Sequence, residues 1–124
     1  MKAVKALVAT MVAAGLLASA APATAGAAAF KHYVACGISK NAHPSHVCPK
    51  GSKKGAFFKS LNAEVSYSVC VKFPSGKNLC AKAQKAERGT LYVNKITSTQ
   101  VGVHTVIWYV KGKQVGSTTF RVTG

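Results

Sequence analysis

The sequence predicts an all-β fold: a single small antiparallel β-sandwich of about seven strands, stapled by two disulfides. Three observations lead there. Apolar and polar residues alternate with a period of two in the central stretch of residues 64–73 and again in residues 120–123, as in strands with one buried face. Glycine, proline and asparagine interrupt these runs about every 8–12 residues. Four cysteines are present, and a tight turn brings two of them face to face.

Residues 1–29 read as a secretory signal peptide rather than as part of the fold. Lys2 and Lys5 form a positive start, residues 6–18 form an apolar core, and small residues offer cleavage after Ala25 or Ala29. As a helix that core spans only roughly 20 Å, against a hydrocarbon layer of about 30 Å, so export and not membrane anchoring is expected. No later run is long and apolar enough to span a membrane. The expected domain is residues 30–124, small enough that disulfides matter to its stability.

Within it, residues 30–36 read as a first strand. Residues 37–55 read as a loop rich in proline, glycine and serine that carries Lys50, Lys53 and Lys54. Residues 56–59 form a second strand. The centre of the chain is a hairpin. Val65, Tyr67, Val69, Val71 and Phe73 alternate with Ser66, Ser68, Cys70 and Lys72. Phe73-Pro74-Ser75-Gly76 then has the chemistry of a type I turn closed by a left-handed glycine.

Folding there with Phe73 opposite Lys77 sets the pairs 72:78, 71:79 and 70:80. Cys70 then meets Cys80 on the polar face, leaving Cys36 to pair with Cys48. Each bridge closes a short loop and contributes about 3 kcal/mol in the chain-entropy model. The return strand fades near Gln84 to Ala86. If its register continued, Lys82 would lie opposite Ser68, and Lys72 and Lys82 would flank the bridge.

Three further strands follow over residues 90–97, 103–110 and 114–123, divided by breaks at residues 100–102 and at Lys111-Gly112-Lys113. The closing run Gly102-x-His104-x-Val106-x-Trp108, a glycine turn and an alternating last strand resembles the closing hairpin of bacterial secreted immunoglobulin-like or fibronectin type III-like modules. That resemblance implies an immunoglobulin-like sandwich with a binding or structural role, and it supplies no catalytic residue. His104 stands where such modules often place a tyrosine. Trp108 follows all four cysteines, unlike the antibody pattern.

The chain carries 17 basic and 2 acidic residues, a formal charge of +15 that becomes +13 without Lys2 and Lys5. Such an excess favours polyanions: cell-wall polymers, acidic polysaccharide, anionic lipid or nucleic acid. Only Arg88 and Arg121 are arginines, so forked recognition of bases is scarce, and no sequence-specific reading of nucleic acid is expected. Lys50, Lys53, Lys54, Lys72 and Lys82 are the candidate polyanion-binding residues.

The expected function is therefore a secreted, cationic, non-enzymatic module attached to an anionic cell-envelope or extracellular polymer. The alternatives are a cationic antibacterial or toxin-like protein and, behind it, a small secreted hydrolase such as a ribonuclease. Cys36, His43, His46 and Cys48 are the only cluster of metal-ligand types, but C-x6-H-x2-H-x-C does not match the usual zinc spacings, and export favours the disulfide. No metal and no cofactor are expected. The chain lacks aspartate, and Glu64 and Glu87 are its only carboxylate side chains. No catalytic residue is therefore assigned. Tyr92 and Tyr109 are the candidate exposed aromatics.

Overall fold

Alternating sequence becomes alternating burial along the strands. In β4 (Val65–Lys72) Tyr67, Val69 and Val71 face inward while Ser66, Ser68 and Lys72 face out, and in β8 (Gly102–Val110) His104, Val106, Trp108 and Val110 are buried. The computed structural model describes residues 29–124, so all of the predicted signal peptide except Ala29 lies outside the described residues. The other strands are β1 (Phe30–Ala35), β2 (Val47–Pro49), β3 (Lys54–Ser60), β5 (Asn78–Cys80), β6 (Gln84–Ala86), β7 (Leu91–Ile96) and β9 (Lys113–Thr123).

Among the described residues, one sheet has the order β1-β3-β7 and the other β2-β9-β8-β4-β5, with β6 also paired to β4. All pairings are antiparallel except β2 with β9, which is parallel. The first, third and seventh strands on one side and the fourth, eighth and ninth on the other give the immunoglobulin-like partition of an ABE sheet facing a GFC sheet. Among the described residues no fourth strand completes the ABED sheet, so β7 is a sheet edge there.

The central hairpin has the predicted register: Cys70↔Cys80, Val71↔Leu79 and Lys72↔Asn78. Phe73 N donates to Lys77 O (2.8 Å), Gly76 N donates to Phe73 O (2.8 Å), and Gly76 takes φ 94°. Both predicted disulfides are formed, with Cα separations of 5.4 Å for Cys36–Cys48 and 4.0 Å for Cys70–Cys80.

The structure departs from expectation in three places. Nine strands replace about seven. Residues 37–55 are not all loop: β2 pairs with β9 inside the segment, and β3 already begins at Lys54. A three-residue strand, Val-Cys-Pro, is too short to show a period, and its partner lies at the other end of the chain. The third departure is a one-residue slip. Ala81 N still donates to Val69 O (2.9 Å), but Gln84, not Ala83, lies opposite Tyr67.

The slip satisfies a buried phenol. Gln84 Nε2 donates to Tyr67 Oη (2.8 Å), which donates to Asn94 Oδ1 (2.7 Å). Burial pushes the Tyr67 pKa up to about 12, so the hydroxyl keeps its proton throughout the physiological range.

Phe57 and Phe58 are both fully buried on opposite faces of β3. Phe58 stacks on Tyr67 in the core (centroids 4.3 Å apart), and Phe57 lies under Tyr33 on the outer face (4.8 Å). Where β1 closes against β9, His32 stacks on Trp108 (4.8 Å). A Cβ at Gly116 would overlap that imidazole, so the glycine makes the stack possible. On the open side, Val69, Val71, Phe73, Leu79 and Ile96 line an apolar cleft of about 280 Å³ between β5 and β7.

Replacing Gly116 with alanine should therefore cost about 1–3 kcal/mol by displacing His32 from Trp108. Adding His32→Ala should recover part of that loss, because the obstructing ring is then gone. Urea denaturation of the two single variants and the double variant reads the coupling; strictly additive losses would mean that the overlap is relieved elsewhere.

Candidate functional site

Strand direction sorts the charged residues between the two ends of the sandwich. The β2–β3 connection (residues 50–53), the β4–β5 turn (73–77) and the β7–β8 connection (97–101) gather at one end. Direct contacts join them to one another or to the frame: Ser75 N donates to Gln100 Oε1 (3.3 Å), and Lys50 N donates to Thr123 O (2.8 Å). Lys50, Lys53, Lys54, Lys72, Lys77 and Lys95 lie at or beside this end. Glu64 and Glu87, the only acidic side chains of the whole sequence, lie in the connections at the far end. There Glu64 meets Lys85 at 3.5 Å, an exposed pair of little energetic weight.

Of the predicted polyanion-binding residues, Lys50, Lys53 and Lys72 are exposed at the lysine end. Lys82 is exposed too, but it falls in the register slip, so the expected 82:68 pair does not form and it does not share a row with Lys72. Lys54 departs most from a surface role: it is 3% exposed. Its Nζ donates to Ser52 O (2.7 Å) and Ser98 O (3.4 Å), and burial lowers its pKa. Lys77 and Lys95 were missed as members of this surface. Lys77 was within reach of the predicted Phe73:Lys77 pair, whereas the place of Lys95 depends on the pairing of β3 with β7, which no local pattern encodes.

His104 brings a buried imidazole to this end. It is buried between Phe73 (5.4 Å) and Phe120 (4.8 Å). Its Nδ1 lies 3.2 Å from Gly102 O, a carbonyl that can only accept, so Nδ1 carries the proton. Nε2 then accepts from the Ser98 hydroxyl (2.8 Å), whose oxygen in turn accepts from Gln100 N (3.2 Å). A tyrosine at the corresponding place of immunoglobulin-like sandwiches reaches back to the chain just upstream. The imidazole does the same here and fixes the β7–β8 connection.

Cys36 and Cys48 are joined to each other, and His46 Nδ1 bonds Thr119 O (2.9 Å). Tyr109 lies on the outer face of β8 but is half-buried rather than exposed. Tyr92 faces inward against Tyr67 (6.1 Å) and accepts from Glu87 N (2.9 Å), so it is not the surface aromatic that the sequence suggested.

No protein-family model matches the sequence, and no curated protein matches it. Among solved structures, the chain is similar to an immunoglobulin-like protein from Pseudomonas aeruginosa at 15% identity and TM-score 0.48, over 75% of this chain and 90% of that one. It is also similar to part of a Pseudomonas fluorescens alkylpurine DNA glycosylase bound to DNA containing an abasic site analogue (16% identity, TM-score 0.41, 77% of this chain and 31% of that one). A Listeria innocua β-glucosidase in complex with isofagomine gives 11% identity and TM-score 0.48, over 77% of this chain and 16% of that one. The immunoglobulin-like assignment rests on strand order. What those enzymes bind remains a property of those enzymes.

Burial lowers the His104 pKa, with the charge of Lys54 adding to the effect and the bond to Gly102 opposing it. In the unfolded chain the ring takes its ordinary value of about 6.5. Below that pH the unfolded state binds the extra proton first, so this contribution is fully present above about pH 6.5 and is lost as pH falls towards the folded value. His104→Phe should flatten the decline in urea midpoint between about pH 7 and pH 5, although it lowers stability at neutral pH. Parallel curves for the two proteins would place the acid sensitivity in another group.

Proposed function

We propose that the protein is a secreted, cationic, non-enzymatic module that attaches electrostatically to anionic cell-envelope or extracellular polymers through its lysine end. The observation that carries this reading is the separation of charge: both carboxylate side chains lie at one end, while the loops of the other bear lysines alone. A long polyanion meets no repelling side-chain charge there, and several lysines can act on it together. The two disulfides fit an oxidising compartment, in keeping with export.

The chemistry of the charges shapes the mode of binding. Lysine is a hydrated point charge on a flexible stem, suited to following a charged chain and poorly suited to reading bases. Affinity should come mostly from counterion release and should fall steeply with salt. The opposed position of His104 and the two glutamates supports a binding role over acid–base chemistry, because it keeps a candidate base away from both carboxylates.

Duplex DNA, a polyanion of known charge spacing, provides the calibrated test. Lys50→Gln, Lys53→Gln and Lys72→Gln together should weaken binding and reduce the logarithmic salt slope by about 0.9 for each contact removed. The same neutralisation at Lys59, Lys111 and Lys113 changes net charge equally and should leave most of the slope in place. Equal effects of the two triple variants would show that net charge, and not the lysine end, governs attachment.

A further inference from the structure

The β2–β3 and β7–β8 connections face each other across a cleft of about 190 Å³. Lys50, Lys53 and Lys95 stand exposed around it, Gly51 leaves its approach open, and Thr97 and Thr99 line its wall. Lys54, whose ammonium is tied to Ser52 O and Ser98 O, is part of that lining. We propose that this cleft is a discrete site for one tetrahedral oxyanion, a phosphate or sulfate group, held by Lys54 and ringed by Lys50, Lys53 and Lys95.

The state of Lys54 is the first ground. Its two observed acceptors are both peptide carbonyls, Ser52 O and Ser98 O. An ammonium has three N–H donors, so one remains uncommitted among the described residues. The carbonyl dipoles stabilise the charge without neutralising it. Both glutamates are at the far end, so no acidic side chain supplies the missing counter-charge. A buried charge without an opposite partner is costly to hold, and an incoming anion relieves that cost.

Space and surroundings are the second ground. The volume corresponds to several water molecules at about 30 Å³ each, room for a tetrahedral group together with its ester link. Lysine is a competent phosphate ligand, acting as a point charge rather than a fork. The hydroxyl of Ser98 is already committed to His104, so its part is to hold the wall and not to bind the guest. Lys54 is positioned on both sides, by Ser52 from one loop and Ser98 from the other, and the site is formed before any ligand arrives.

This inference rests on the polyanion reading and sharpens it, giving a flexible polymer one fixed anchoring point for a phosphate or sulfate along its length. The two nevertheless fail separately. The experiment is a titration with inorganic phosphate, and in parallel with sulfate and acetate, against chloride at matched ionic strength, followed by amide shifts in two-dimensional NMR. Saturable shifts confined to residues 50–54 and 95–99 are expected with phosphate or sulfate, and acetate should be weaker. The better of the two tetrahedral ions identifies the natural group.

Lys54→Met should abolish those shifts. Because that variant removes ties to two loops, Lys53→Gln with Lys95→Gln provides a second test in an intact frame, with affinity reduced about twofold to fivefold for each exposed lysine lost. Shifts that follow ionic strength alone, spread over all exposed lysines, or survive in a folded Lys54→Met protein would overturn the site. If phosphate and sulfate fail to saturate while DNA still binds with a steep salt slope, the discrete site is wrong and the polyanion reading stands. If they saturate while DNA does not bind, the site stands and the polymer reading falls.

Discussion

The hydrogen bond from Phe73 N to Lys77 O sets the register of the central hairpin, to which the rest of the second sheet is joined through β4. Strand side chains alternate strictly, so fixing one pair decides which face every residue of β4 and β5 occupies. With this pair bonded, Cys70 meets Cys80 on the face of β4 opposite to Tyr67, Val69 and Val71, which turn inward. The ladder from β4 to β8 then sets Trp108 opposite Val69, and the ladder from β8 to β9 sets Gly116 opposite Trp108. Gly116 is thus where His32 of the other sheet needs an absent side chain. A shift of one residue at the turn would exchange the two faces of β5 relative to β4 and part Cys70 from Cys80.

Features with a local period were legible in the sequence, and features fixed by distant partners were not. The hairpin, its glycine turn and the Cys70–Cys80 bridge follow from side chains a few residues apart, and Cys36–Cys48 then follows by elimination. β2 has no period, and its existence depends on β9 more than 70 residues later. The slip at residues 81–83 answers the hydrogen-bonding needs of Tyr67, whose partner Asn94 lies on the opposite sheet. At the candidate site, Lys50, Lys53 and Lys72 could be chosen from charge and turn position. Lys54 looked the same in sequence, yet it opens β3 and is covered by the β7–β8 connection.

His104 shows how one chemical task can pass between residue types. The corner needs a side chain that leaves the start of β8, stacks on Phe120 with its other side against the tilted ring of Phe73, and ends in a hydrogen-bonding atom. Imidazole meets these needs with a shorter reach than a phenol, and Ser98 supplies the remaining distance. The exchange makes the corner sensitive to acid, since a phenol there would not change its charge in that range.

β7 has a neighbour on one side only among the described residues, and the apolar cleft beside it leaves Leu79 48% exposed. The outer rim of such a strand is a template on which another chain can lengthen the sheet, and the adjoining groove would reward the match. Mutual repulsion between molecules of like charge is the main obstacle to this event. The lysines therefore act as colloidal stabilisers of the folded chain. Screening or neutralising that like charge on several copies at once would remove the opposition and leave the bare edge of β7 free to pair.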